Sequence, residues 1–181
     1  MSELVSPKQL AKEARQAYHQ GDYLAAARAF EAAAQGYQTV DDHLNVAEML
    51  NNGSVAYLQA GDGDSALRVV QGTPETFSAA GDLFRQGMAL GNLGAALEAV
   101  DRLDEAIQAY QQSADVLKQA NETEMRASVM QSLSALQLKT GHQLEALATM
   151  QAGLDGLKKP SPKQRALRKL LNLPSKVIKG S

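Results

Sequence analysis

Apolar side chains follow the turns of this chain in a pattern that recurs about every 40 residues, the length of a repeat unit in a helical stack. In each copy, an alanine lies five residues after the start of a turn, and a bulkier apolar residue follows four positions later. The turns begin at Gly21, Gly61, Asp101 and Gly141; the alanines are Ala26, Ala66, Ala106 and Ala146; the bulkier residues are Phe30, Val70, Tyr110 and Met150. A spacing of four places both side chains on one helical face. A unit this short cannot bury that face alone, so the pattern predicts stacked helix pairs.

A second apolar series, with the same spacing, marks the first helix of each pair. Its members are Leu10, Leu50, Leu90, Met130 and Leu170, and small residues follow four positions after the first four of them, at Ala14, Ser54, Gly94 and Ser134. Small residues allow two helices to approach closely. Because Leu170 keeps the register, we expect the C-terminal segment to begin a fifth unit that covers the apolar end of the stack.

Capping residues place the ends of eight predicted helices in four pairs. Ser6 and Pro7 open the first helix, and Asp22, Asp42 and Asp82 stand at later helix starts. The predicted helices cover residues 7 to about 20, 23 to 37, 42 to 59, 64 onward, 82 to 99, 103 to about 119, 123 to 139, and 144 to 157. The four units are about 7–46, 47–86, 87–126 and 127–159, within residues 1–159. Residues 160–181 form a basic capping helix and tail of the same domain, opened by Ser161 and Pro162 and ended by Pro174.

The second helix of the second pair contains a break at Gly72, Thr73 and Pro74. Proline inside a helix removes a hydrogen bond and clashes with the preceding turn, at a cost of about 3 kcal/mol. We therefore expect either a kink or a helix that restarts with Thr73 as its cap. Kinks at proline are ordinary, which favours a tolerated break over a functional hinge.

Charge is distributed unevenly between the body and the tail. The net charge is −2, but residues 158–181 contain eight basic and no acidic residues, so the remaining 10 basic and 20 acidic residues give the body −10. No apolar run is long enough for a membrane span or a signal peptide, so we expect a soluble, cytoplasmic protein. The absence of cysteine excludes disulfides, thiol catalysis and cysteine-ligated zinc.

These features together resemble the tetratricopeptide repeat family, in a longer form with about 40 residues per repeat. The resemblance rests on the turn, the alanine, the large apolar residue, and the run of Asn92, Leu93 and Gly94, which Asn52, Gly53 and Ser54 echo. It covers residues 7–157 and implies an all-α fold, a right-handed superhelical solenoid of four helix-turn-helix repeats with a C-terminal capping helix. Asp101 departs from the pattern because it replaces the turn glycine.

The resemblance implies that the first helices of the pairs line a concave face, where a peptide or a partner helix would bind. The predicted peptide-binding residues are Lys8, Lys12, Arg15, Tyr18, His19, Asn51, Asn52, Val55, Gln59, Met88, Asn92, Ala95, Glu98, Gln131 and Leu138. Other inward positions are Glu48, Gly91, Ser128, Ala135 and Lys139. One end of this face is basic, and its middle is neutral and rich in amides.

Asn52 and Asn92 occupy equivalent positions, and a carboxamide can donate to and accept from one peptide unit of a ligand backbone. Families with this pattern, kinesin light chains among them, are similar in binding peptide backbones through such asparagines. The alternative is that the amides satisfy neighbouring helix groups.

The basic residues of the first helix lie on one stripe that could receive an acidic segment, or could simply be solvated. Ala11 and Met88 stand where the carboxylate clamp of chaperone-tail-binding relatives would need lysines, so that specificity is not expected.

The tail is amphipathic, and Arg165, Arg168 and Lys169 could contact an anionic membrane surface or a partner. Capping of the stack is the favoured role, and without interleaved aromatic residues nucleic acid is not an expected partner. The three histidines are far apart, so we predict no metal site, no cofactor and no catalysis. Two functions remain: a peptide-binding adaptor, or a scaffold that self-associates into a homo-oligomer through its repeat ends or basic tail.

Overall fold

The computed structural model describes residues 6–171, which form a solenoid of helix pairs without a strand in that range. The ten helices of this range are α1 (Pro7–His19), α2 (Tyr23–Gln38), α3 (His43–Gln59), α4 (Gly63–Val70), α5 (Thr73–Ala79), α6 (Leu83–Ala99), α7 (Leu103–Gln119), α8 (Thr123–Lys139), α9 (Gln143–Asp155) and α10 (Pro162–Leu171). Consecutive helices pack on one another, as a stack of hairpins requires, except that α4 and α5 each pack on α3 and α6 instead of on one another. The predicted all-α solenoid is confirmed.

Residues with positive φ recur every 20 residues from Gly21 to Gly141 and separate the helices. They are Gly21, Asp41, Gly61, Gly81, Asp101, Asn121 and Gly141, with φ between 55° and 86°. Aspartate and asparagine tolerate this left-handed region better than other residues with a side chain, which explains why Asp101 can replace the turn glycine. The predicted unit limits at 46, 86 and 126 fall a few residues after these turns, in the first turns of α3, α6 and α8.

Aspartate caps α2, α3, α4 and α6. The carboxylates of Asp22, Asp42, Asp62 and Asp82 each accept a hydrogen bond from the backbone N–H three residues later, at 2.9–3.2 Å. Such a bond satisfies one of the free N–H groups at a helix N-terminus. The corresponding positions before α7, α8 and α9 are Arg102, Glu122 and His142, and none of these side chains caps its helix.

Glycine and serine allow α6 and α7, the two helices of the third pair, to approach closely. A methyl group on Gly94 would lie 2.7 Å from the ring of Tyr110, and one on Gly87 would lie 2.6 Å from Leu117. The buried hydroxyl of Ser113 donates to the carbonyl of Gly87 at 2.6 Å. Close packing of this kind fixes the angle and distance between successive helices.

The break at Pro74 is a restart, but the cap is not the predicted one. α4 ends at Val70, Gly72 adopts a φ of 80°, and Thr73 is already helical in α5. The Thr73 hydroxyl donates back to the Val70 carbonyl at 2.8 Å, so it cannot cap the helix. Phe77, 1% exposed, packs between α3 and α6, and this burial anchors the short helix.

The last helix, α10, packs on α9 but buries none of its residues completely. Ser161 and Gln164 cap it reciprocally, because the Ser161 N–H donates to the Gln164 side chain and the Gln164 N–H donates to Ser161 Oγ. Leu170 keeps the register of Leu90 and Met130, but unlike them it is 61% exposed, and no following helix within the described range covers it. The predicted helix end at Pro174 lies outside the described residues.

Exposed leucines also remain on α9, where Leu144 is 84% and Leu147 is 47% exposed. The C-terminal end of the stack is therefore covered only in part by α10. No helix within residues 6–171 is both long and apolar enough to span a bilayer.

Candidate functional site

The first helices of the four pairs are α1, α3, α6 and α8, and we call the side of the stack that they form the concave face, after the prediction from the sequence. A cavity of about 280 Å³ opens between α1 and α3. We call it the N-terminal cavity; its lining residues are Arg15, Tyr18 and His19 of α1, Phe30 of α2, and Asn52 and Val55 of α3. Five of these six residues were predicted to bind a ligand, and the structure brings them together around one opening.

Aromatic rings and basic side chains determine the character of the N-terminal cavity. The ring of Tyr18 meets Tyr23 edge-on at 5.2 Å between centroids, and His19 adjoins it at 6.3 Å. Lys8 and Lys12 are exposed on the same helix as Arg15, outside the cavity itself. None of these basic side chains meets a carboxylate within residues 6–171. The opening is apolar inside and positively charged at its rim.

A second cavity, of about 190 Å³, opens on the same face between α6 and α8. We call it the C-terminal cavity; its lining residues are Met88, Gly91, Asn92 and Ala95 of α6, Tyr110 of α7, and Met125, Ser128, Val129 and Ser132 of α8. None of them is charged. The buried Tyr110 hydroxyl donates to Glu98 at 3.2 Å, and burial, followed by the Glu98 charge, raises the pKa of Tyr110.

An asparagine pair lies between the two cavities, where α3 meets α6. The Asn92 side-chain N–H donates to Asn51 Oδ1 at 3.0 Å, so one donor of Asn92 is already used. The side chain of Asn52 makes no hydrogen bond to the residues that the structure describes. The carboxamide oxygen and second N–H of Asn92, and the whole amide of Asn52, are free of such bonds within residues 6–171.

The remaining predicted site residues lie outside both cavities. Gln59 is exposed at the end of α3, and Leu138 is 47% exposed at the end of α8. Gln131 lines a different cavity, where Leu167 of α10 meets α8 and α9. In the tail, Arg165 and Lys169 are exposed and Arg168 is half-buried.

Several cavity residues were missed by the sequence reasoning, although the repeat register contained the signal. Ser132 is the equivalent of Asn52 and Asn92, and Phe30 and Tyr110 are equivalents two units apart. The sequence assigned the aromatic pair to the core, and they are 3% and 4% exposed. What the pattern could not show is that their ring edges also border openings on the inner face.

A further cavity, of about 500 Å³, lies on the opposite face of α6. Pro74, Gln86, Leu90 and Gln112 are among its lining residues, and the short helix α5 forms one wall. Residues 6–171 contain no group of three side chains suited to holding a metal ion.

Comparison with known proteins identifies the repeats. Residues 85–159, which include the C-terminal cavity, match the family model described as tetratricopeptide repeat. This match supports the tetratricopeptide repeat family that the sequence predicts. These repeats are protein–protein interaction modules and are typically non-catalytic, so the chain contains an interaction module.

Among solved structures, the chain is similar to the crystal structure of BtubC (BKLC) from P. vanneervenii. The TM-score is 0.67 at 15% sequence identity, and the match covers 92% of this chain and 63% of that chain. At this identity the similarity shows the fold alone. No curated protein matches the sequence significantly.

Proposed function

We propose that this tetratricopeptide repeat chain is a non-enzymatic adaptor that binds an extended peptide segment of a partner protein along its concave face. The observation that carries the proposal is the N-terminal cavity, where aromatic and apolar side chains line an opening of about 280 Å³ beside basic residues. Ligand sites are typically concave and apolar, with a few polar groups that fix orientation.

Free amides in the middle of the groove support an extended ligand. An extended chain exposes backbone donors and acceptors that need partners when it leaves water. The amide of Asn52 and the free oxygen of Asn92 can supply them without regard to the side chains of the ligand. We infer that apolar cavities provide selectivity in this groove and that asparagines hold the backbone.

A selection experiment tests the proposal. The full chain is used to enrich binders from a displayed library of random twelve-residue peptides, and enriched peptides are synthesised and titrated by fluorescence polarisation. Because backbone hydrogen bonds should be lost, the double variant Asn52→Ala, Asn92→Ala is expected to bind these peptides at least tenfold more weakly.

The matched control replaces Gln111 and Gln119 by alanine, since both are exposed amides on α7 that do not line the groove cavities. This control should bind like the unaltered chain. If the asparagine variant folds and binds every enriched peptide undiminished, the backbone role of the asparagines is wrong.

Self-association is the second candidate function, and the exposed leucines at the C-terminal end of the stack favour it. Leu144 and Leu170 are 84% and 61% exposed, beside a tail that is basic while the body is acidic. Light scattering at increasing salt distinguishes the candidates. An oligomer at any salt concentration supports self-association, and its dissociation as salt rises indicates contacts between charged surfaces, whereas a monomer throughout supports the adaptor.

A further inference from the structure

The concave face presents two openings of different chemistry, separated by a polar contact. The N-terminal cavity lies between α1 and α3, the pair of Asn51 and Asn92 lies between α3 and α6, and the C-terminal cavity lies between α6 and α8. The cavities are thus two helix spacings apart. A single side chain of a ligand cannot enter both.

The N-terminal cavity suits an aromatic side chain of a ligand peptide in which the adjacent residue is acidic. Tyr18 and Phe30 offer aromatic surface, and rings pack favourably edge-to-face with other rings. Arg15 and His19 line the same opening, and neither meets a carboxylate within the described range. An acidic residue next to the ring would supply the missing opposite charge.

The C-terminal cavity suits an unbranched or branched aliphatic side chain. Its volume is smaller, about 190 Å³, and two of its lining residues are methionines, whose flexible thioethers adapt to varied apolar shapes. Its lining contains no charge. A charged side chain entering it would lose water without gaining a partner.

The distance between the cavities sets the spacing of the two anchors. Among these inner helices α3 and α6 pack on one another, and packed helices lie about 8–10 Å apart; with this value as the spacing of the inner helices, two spacings amount to roughly 16–20 Å. An extended chain advances about 3.3 Å per residue. Anchors about five or six residues apart therefore reach both cavities, and the intervening backbone passes the free amides of Asn52 and Asn92.

We propose that the groove recognises an extended peptide with two apolar anchors about five or six residues apart, an aromatic one flanked by an acidic residue in the N-terminal cavity and an aliphatic one in the C-terminal cavity. This inference rests on the proposed function, because it specifies which peptides that groove selects.

The displayed library provides the first test. Enriched twelve-residue peptides should share an aromatic position with an adjacent acidic residue, and an aliphatic position five or six residues away. Alanine at either anchor of a synthesised peptide should weaken binding at least tenfold. Enriched peptides with a single anchor, or with anchors only two or three residues apart, overturn the two-anchor inference.

Cavity-filling variants provide the second test. Ser128→Trp places a large ring at the exposed edge of the C-terminal cavity, and Val55→Trp does so at the N-terminal cavity. Each variant should weaken binding at least tenfold. Replacing the corresponding peptide anchor by alanine should then weaken the binding to that variant only slightly further. Gln111→Trp on α7 is the matched control and should leave affinity unchanged. Thermal unfolding of each variant verifies that it folds.

The charge at the rim is tested by reversing it. Arg15→Glu should weaken binding of peptides with an acidic neighbour at least fivefold at low salt, and less at high salt. Arg28→Glu makes the same change on the exposed face of α2, outside the N-terminal cavity, and should have little effect. Equal losses in both variants contradict the acidic-neighbour assignment.

The results separate this inference from the proposed function. Peptides that compete with one another and are blocked by Val55→Trp or Ser128→Trp, but that lack the two-anchor pattern, support groove binding and overturn the anchor spacing. If no peptide is enriched, or if enriched peptides ignore both filling variants, the proposed groove function itself is wrong.

Discussion

Two helical glycines differ in whether a methyl group fits beside them. At Gly94 a new Cβ would lie 2.7 Å from Tyr110, whereas at Gly53 it would lie 3.5 Å from Phe30, an ordinary contact. Gly94→Ala should therefore destabilise the fold by about 1–3 kcal/mol through overpacking. Gly53→Ala should stabilise it by about 0.5–1 kcal/mol, because alanine favours the helix interior. Urea unfolding of both variants checks this, and effects of equal sign would contradict the packing account.

The capping aspartates make the free energy of unfolding depend on pH. The pKa of Asp62 lies below its ordinary value of 3.8, chiefly because the backbone N–H of Ser65 donates to its carboxylate. The pKa of Asp42 is lowered first by the side-chain amide of Asn45. These carboxylates stabilise the fold above their ordinary pKa, and that contribution is lost as the pH falls through the lowered pKa of the folded state.

We therefore expect the free energy of unfolding to decline as the pH falls below about 4. The double variant Asp42→Asn, Asp62→Asn keeps a side-chain oxygen for each cap but removes both titrations, so its decline should be shallower. Urea unfolding at pH 7, 5, 4 and 3 measures the slopes. Identical slopes would show that the caps do not carry the pH dependence.

Single residues show where sequence reasoning succeeded and where it failed. Ser6 and Asp22 were predicted as caps from residue type, and their side chains do accept the backbone N–H groups. Thr73 was predicted as a cap for the same reason, yet its hydroxyl donates to Val70. A threonine hydroxyl near a helix start can either accept a bond from a backbone N–H or donate one to a nearby carbonyl. Thr73 is only 2% exposed, and at this buried position its hydroxyl donates to the carbonyl.

At the scale of helices, α7, α8 and α9 lack the side-chain caps that α2, α3, α4 and α6 have. Glu122 has φ −89° and ψ 74°, close to the −87° and 80° of Asp82, but its longer side chain does not cap α8. Glu122→Asp should therefore stabilise the fold by about 0.5–1 kcal/mol. Glu124→Asp is the control, because it makes the same substitution within the first turn of α8 and not at the capping position. It should not stabilise the fold. Thermal unfolding compares them, and an equal change in both would contradict the capping explanation.

Helix limits were largely predictable because glycine and aspartate mark the turns. The predicted ranges 103 to about 119 and 123 to 139 match α7 and α8. The C-terminal helix was harder, since Leu170 fits the apolar register but is exposed. A register predicts which face is apolar, and whether that face is covered depends on the next helix of the stack.

At the scale of the whole molecule, the concave face combines openings that no single repeat contains. Each cavity uses two helices from one pair and a third from the next, so its shape depends on how the units stack. The sequence predicted the inner helices and five residues of the N-terminal cavity. It could not predict the pairing of Asn51 with Asn92, because that contact is set by the distance between α3 and α6.

Binding of a peptide along this face is the central claim, and chemical-shift mapping tests it most directly. A peptide enriched by the full chain is titrated into the ¹⁵N-labelled protein. The account predicts that the largest shift changes fall on the inner residues of α1, α3, α6 and α8, with Tyr18, Asn52, Asn92 and Ser128 among them. Largest changes on α9 and α10, around Leu144 and Leu170, would contradict it.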